Sequence, residues 1–336
     1  MRGRRNEDAL SEIIGFVLIL ALVVVASTLY LLYVVPAEGR EDEITHMNQV
    51  QDRFVSYKTS VDGLWMRADS STETRGVSLS TSFDLGTGGG NTQSSGMFLS
   101  FMRPIGTAAK MSIDGEQGDT ITVRVDGQLV NVSGVFPLLN VPPGYVNYTT
   151  DNYYWIQQSY SYEMGGVFLE QAREGVSVKV SPALSLYKYG YKNNTDNVKL
   201  NLCLIKVMGA SKTVGGTGPL RIETRLREDF ESMDRSPEDP ADNVTITVKA
   251  RNQYWARAWH QVFIDAVNRD QNLGANTSWY KITPETSSEI TADPNSWTIE
   301  LNLPNETSPQ APGPGHVLPA IKWASTQVTF EYADNG

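Results

Sequence analysis

The chain has 336 residues, a net charge of −10 and a pI near 4.9, with 40% apolar, 20% charged and 10% aromatic residues. These are the proportions of a folded protein large enough for a full core, and they exclude a disordered tail. The acidic balance argues against a nucleic-acid partner, which requires a basic face to displace counterions from phosphates. A single cysteine, Cys203, excludes an intramolecular disulfide, and three histidines leave little material for a metal site; no cofactor is implied.

The first element is the run Ile13 to Val35, 23 residues without a charge. As a helix it extends about 34 Å, enough to cross a hydrocarbon core of about 30 Å. Arg2, Arg4 and Arg5 precede it, and Glu38, Glu41, Asp42 and Glu43 follow. This bias places the N-terminus in the cytoplasm and roughly 300 residues outside, with membrane lipid as the first partner. The run is too long for a secretory signal peptide and lacks a small-residue cleavage site after it, so it stays in the mature protein. Pro36 and Gly39 are expected to bend or interrupt the helix as it leaves the membrane.

A second helical pattern follows. Met47, Val50, Phe54, Tyr57, Val61 and Leu64 recur at spacings of three and four, forming one apolar stripe. Docking on the β region of the same chain is the simpler use of this stripe, and packing against neighbouring helices is the alternative. From about Gly76 the pattern turns to β. Ile121 to Val125 and Gln128 to Val132 flank Asp126-Gly127, a strong hairpin signal. Val176 to Val180, Val198 to Met208, Leu220 to Leu226, Val244 to Lys249, Trp297 to Leu303 and Gln327 to Tyr332 read as further strands, while Gly86 to Gly90 and Gly215, Gly216 and Gly218 read as loops. Tyr254, Trp255, Ala258, Trp259, Val262, Phe263, Ala266 and Val267 mark one helix between Arg251 and Arg269. The expected architecture is an N-terminal transmembrane helix continuing into an amphipathic helix, then a mostly antiparallel β-sandwich or barrel with one covering helix. In segments this gives a leader at 1–9, a membrane helix at 10–36, an amphipathic stalk at 37–66 and an outer β-rich domain at 67–336.

Chemistry-bearing motifs are scarce. No Gly-x-Ser-x-Gly elbow or His-Glu-x-x-His pair occurs. His46, His260 and His316 lie in separate contexts, and Cys203 between Leu202 and Leu204 reads as a small core residue. Asp114, Glu116 and Asp119, and separately Glu238, Asp239 and Asp242, read as solvated turns, with weak calcium binding as the alternative. Sequons mark Asn131, Asn147, Asn193, Asn243, Asn276 and Asn305 as candidate glycosylation sites. Tyr145, Tyr148, Tyr153, Tyr154, Trp155, Tyr160 and Tyr162 form a stretch suited either to packing within the head or to an adhesive surface.

Asp8-Ala9-Leu10-Ser11, directly before the apolar run, resembles the signal sequence of archaeal type IV prepilins and archaellins. Ser11-Glu12-Ile13-Ile14-Gly15-Phe16 is similar to the start of archaeal pilins, with Glu12 where a proline is common. The resemblance implies cleavage by a prepilin peptidase between Ala9 and Leu10, which removes the arginine-rich leader and keeps the helix. Glu12 would then meet the new α-amino group of a like subunit, because a carboxylate near lipid needs a partner. Ser161 to Val167, Val198 to Met208 and Val244 to Val262 resemble stretches of archaeal pilin-like surface proteins of haloarchaea and methanogens. Together these imply a non-enzymatic, structural or adhesive surface protein, as a filament subunit or minor pilin. The alternative is a signal-anchored, single-pass protein that does not polymerise and whose outer domain binds carbohydrate or surface layer, or hydrolyses a substrate. Hydrolysis of a glycoside needs two carboxylates about 5 to 10 Å apart in a groove.

Overall fold

The computed structural model describes residues 4–70, 77–87, 103–130, 142–191, 194–227, 231–274, 279–304 and 316–331. Helix α1 (Arg4–Leu29) passes through a π-turn at Tyr30–Val34 directly into α2 (Val35–Ser70). The expected interruption at Pro36 does not occur. Proline lacks an N–H and crowds the carbonyl four residues back, and the widened turn before it, with Val35 N–H bonded to Tyr30 O, accommodates both effects. One continuous helix therefore joins the apolar segment to the rest of the chain.

Three sheets follow. The first orders β1 (Ser78–Leu85), β12 (Gly218–Leu226), β17 (His316–Glu331), β10 (Asn194–Met208) and β9 (Ala183–Tyr191), with β13 (Glu231–Asp234) also on β17. The second orders β11 (Lys212–Gly216), β2 (Ala109–Asp114), β5 (Tyr145–Thr150), β6 (Gln158–Glu163), β7 (Gly166–Gln171) and β8 (Gly175–Val180). The third orders β15 (Lys281–Thr283), β16 (Thr298–Leu303), β14 (Val244–Lys249), β3 (Thr120–Val125) and β4 (Gln128–Leu129). Pairing is antiparallel except between β10 and β17, which run parallel from Asn197↔His316 to Met208↔Gln327. The expected hairpin stands between β3 and β4: Asp126 and Gly127 take φ of 52° and 72°, the pair of positive angles a two-residue turn of this hand needs. Gly215 and Gly216, read as loop, instead belong to edge strand β11, where backbone pairing with β2 holds them.

Two helices organise two cores. The six stripe residues of α2, Met47 to Leu64, are all buried, with Phe54 at 0% exposure between Phe83 and Tyr160. They pack with side chains of the first and second sheets, so this helix docks into the β region of its own chain. Each buried apolar side chain of this size contributes roughly 2 kcal/mol. The second core gathers α3 (Gln253–Asn268), the third sheet and the other face of the first. Strand β10 serves both: Val198, Leu200, Leu202 and Leu204 face α3, while Cys203, Ile205 and Val207 face α2. Coverage on both faces matches its continuously apolar centre, Leu202 to Ile205, while Val198 to Leu202 alternates with Lys199 and Asn201. Asn252 caps α3 by accepting from Tyr254 N and Trp255 N. Tyr254, counted on the apolar stripe, is 39% exposed and lies over Gly175 in β8. Short α4 (Gln271–Gly274) ends this helical region.

Candidate functional site

The most distinctive feature is the passage of the long helix from exposure to burial. From Ile13 to Val34 the large apolar side chains point outward on every side, including Phe16 at 67%, Leu22 at 71% and Tyr33 at 71%. Among the described residues one helix is long and apolar enough to cross a membrane, and none of its most apolar stretch is buried. Val35, the next residue, is 7% exposed. Ala9 and Leu10 lie in the backbone of α1, and Glu12 is exposed two residues beyond them.

A clamp holds the helix where burial begins. Glu43 is 1% exposed, and its carboxylate accepts hydrogen bonds from the backbone N–H groups of Tyr153, Tyr154 and Trp155 at 2.8, 3.0 and 2.6 Å. Three convergent amides compensate a buried carboxylate, and bonds to a charged acceptor are the strong ones. Arg40 stacks over Trp155 at 4.2 Å. Tyr154 lies against Gly39 so closely that a Cβ there would come 2.4 Å from the ring. One turn further on, His46 Nε2 is 2.8 Å from the Tyr148 hydroxyl. That hydroxyl donates to Asp84 O and accepts from Gly86 N, so His46 is the donor to it. Burial lowers the His46 pKa, against a smaller opposing effect of Asp84.

The tyrosine-rich stretch divides between these roles. Tyr148, Tyr160 and Tyr162 are core residues, whereas Tyr153, Tyr154 and Trp155 build the clamp. In the sequence Glu43 reads only as one of the acidic residues that follow the apolar run, although a signal for burial is present. It sits four residues before Met47, so it falls on the buried stripe, where a carboxylate must find partners.

A second polar centre lies at the junction of the sheets. Asp119 precedes β3, Glu163 ends β6 and Arg251 precedes α3. Arg251 bonds Asp119 Oδ1 through its backbone N at 2.8 Å and Nε at 3.1 Å, and its guanidinium also bonds Glu163 Oε2. Trp259 Nε1 donates to Asp119 Oδ2 at 2.8 Å, and Asp119 N donates to Glu163 Oε1. Gly118, at φ +123°, permits this approach, since a Cβ there would lie 2.6 Å from Glu163 Oε1. Both carboxylates are 0% exposed. Burial, then the charge of Asp119, pushes Glu163 up to about 8 against the pull of Arg251; burial likewise raises Asp119. All four carboxylate oxygens are bonded within the protein. The geometry ties the second and third sheets to α3, and Asp119 is no solvated turn.

The remaining expected residues are scattered. Asn147 lies in β5 with Nδ2 donating to Thr149 Oγ1 at 3.2 Å, and Asn243 precedes β14 with Oδ1 accepting from Gly127 N. Asn131, Asn193, Asn276 and Asn305 lie outside the described residues. Cys203 is buried at 3% in the α2 core. His260 Nε2 is 3.1 Å from Pro284 O, and His316 Nδ1 is 3.7 Å from Asp242. Asp114 accepts from Glu116 N, and Asp239 pairs with Arg235. Among the described residues no group of three or more His, Cys, Asp or Glu side chains converges as metal ligands. Comparison with family models, with curated proteins and with solved structures finds no match to this chain.

Proposed function

We propose that this chain is a type IV pilin-like surface protein of structural or adhesive, non-enzymatic role. The observation that carries the reading is the exposed apolar helix, Ile13 to Val34, running without a break into a helix buried in a β-rich head. Such a helix needs lipid or the helices of like subunits to cover it, because roughly 25 cal/mol is lost for each Å² of apolar surface left in water. The arginines before it and the acidic residues after it support a cytoplasmic N-terminus and an outer head, with glycans on sequons such as Asn147 and Asn243. Burial of the Met47 to Leu64 stripe leaves the exposed segment before Val35 as the part available for lipid or for a filament core.

The proposal requires processing between Ala9 and Leu10. Membranes containing the full chain, incubated with an archaeal prepilin peptidase, are expected to yield a protein about 1 kDa smaller that begins at Leu10. Ala9→Phe is expected to block this step. An uncut chain would leave a signal-anchored binding protein as the better reading.

A further inference from the structure

Beyond Val34 the described residues expose few large apolar side chains: Met66, Val77, Ile105, Tyr153, Tyr187 and Tyr254. Ile105 at 65% and Tyr153 at 68% are the most exposed of these, and they belong to one patch. Ile105 N donates to the Tyr154 hydroxyl at 3.2 Å, joining the segment at 103–106 to the clamp loop. That loop is fixed to the long helix at Gly39 and Glu43.

The helix supplies a ruler. Exposure on every side ends between Val34 at 38% and Val35 at 7%: Val35, Gly39 and Glu43 are buried while Ala37, Glu38 and Arg40 to Asp42 stay exposed, so the head closes on one face of the helix where the apolar run stops. At 1.5 Å per residue, Gly39 stands about 6 Å and Glu43 about 12 Å beyond Val35. The polar headgroup layer of a bilayer is about 5 to 8 Å thick on each side. If the apolar run spans the hydrocarbon, the loop is fixed at Gly39 within the headgroup layer and at Glu43 about 4 Å beyond it, so the patch lies across the outer edge of the headgroups.

We propose that exposed Ile105 and Tyr153, with half-buried Trp155 beside them, form a lipid-docking surface that enters the headgroup layer around the emerging helix. This inference rests on reading Ile13 to Val34 as a membrane span. Aromatic rings with polar tips favour that layer, and an exposed isoleucine beside them adds apolar depth. Exposed Arg40 and Arg103 suit lipid phosphates, while Glu38, Glu41 and Asp42 are also exposed and Lys110 pairs with Asp151 at 3.2 Å. The charges nearly balance, so the fit is to a zwitterionic phospholipid surface rather than to a strongly anionic one. Because the clamp fixes the head to the helix, docking also sets the orientation of the head over the membrane.

The test places spin labels on the full chain in phosphatidylcholine vesicles, in a Cys203→Ala background. Labels at Ile105→Cys and Tyr153→Cys are expected to lose collisions with a water-soluble nickel chelate several-fold relative to a label at Tyr254→Cys on α3. A label at Leu22→Cys reports the span itself. Should Leu22 read as lipid while positions 105 and 153 read as bulk water, the docking surface fails and the span stands. Should Leu22 also read as water, the span fails and docking with it. Line broadening at 105 and 153 that grows with the protein-to-lipid ratio would assign the patch to a second copy and overturn the proposal. Photolabelling of the unmodified chain with headgroup-diazirine phosphatidylcholine checks the same point without substitutions. Adducts on 103–106 and 151–157 are expected, and their absence alongside adducts in the apolar run would refute docking.

Discussion

Replacing Glu163 by glutamine tests the buried cluster through its pH dependence. One guanidinium faces two carboxylates, so with both ionised the centre carries an uncompensated negative charge at 0% exposure. A proton on Glu163 removes it, in keeping with a pKa raised from 4.5 to about 8 by burial and by Asp119. The folded state thus holds a proton that the unfolded chain releases above pH 4.5. The contribution is fully present below that pH and is lost as pH rises toward 8. At about 1.36 kcal/mol per pH unit, the native chain is expected to lose up to about 3 kcal/mol relative to Glu163→Gln between pH 5 and 7. The assay is denaturant unfolding of the full chain in detergent micelles at each pH, followed by tryptophan fluorescence. Trp259 bonds Asp119 and Trp255 lies 3.7 Å beneath Arg251, so two of the seven tryptophans report on the centre directly. A difference between the two proteins that stays flat from pH 5 to 7, or that changes in the native chain's favour, would refute the reasoning.

Three further predictions concern the same framework. Arg251→Met leaves two buried carboxylates without a cation and is expected to cost about 3 to 5 kcal/mol at neutral pH, partly recovered on acidification, in the same unfolding assay. Glu43→Ala removes the acceptor of three amides and is expected to speed hydrogen exchange at Tyr153, Tyr154 and Trp155 by about 100-fold, for a loss of about 3 kcal/mol, read by mass spectrometry; unchanged exchange would mean the clamp does not hold the loop. Phe54→Ala opens a cavity between Phe83 and Tyr160 and is expected to destabilise the head by about 3 to 5 kcal/mol in thermal unfolding.

Local periodicity made the helices legible, because their faces are fixed by neighbours three and four residues away. The stripe from Met47 to Leu64 and the helix from Trp255 to Val267 are buried as their spacing implies. Strands with a strong apolar pattern, such as Val244 to Lys249, were equally plain. Strands β1, β5 and β6 were harder, since Ser78 to Leu85 and Tyr145 to Glu163 carry serine, threonine and tyrosine where a pattern reader expects valine. The parallel pairing of β10 with β17 and the meeting of Asp119, Glu163 and Arg251 join residues separated by 44 to over 100 positions, and no local spacing encodes such contacts. Of the two effects expected at Pro36, bending or interruption, interruption does not occur, because a π-turn just before it lets the helix continue past the proline.

The central claim, a processed pilin-like protein carried by its exposed helix, is tested most directly by mass spectrometry of the mature N-terminus in sheared surface material and in membranes. The account predicts a chain beginning at Leu10, present in the sheared fraction if it polymerises and in membranes if it does not. An intact N-terminus retaining Arg2 to Arg5, found only in membranes, would contradict it.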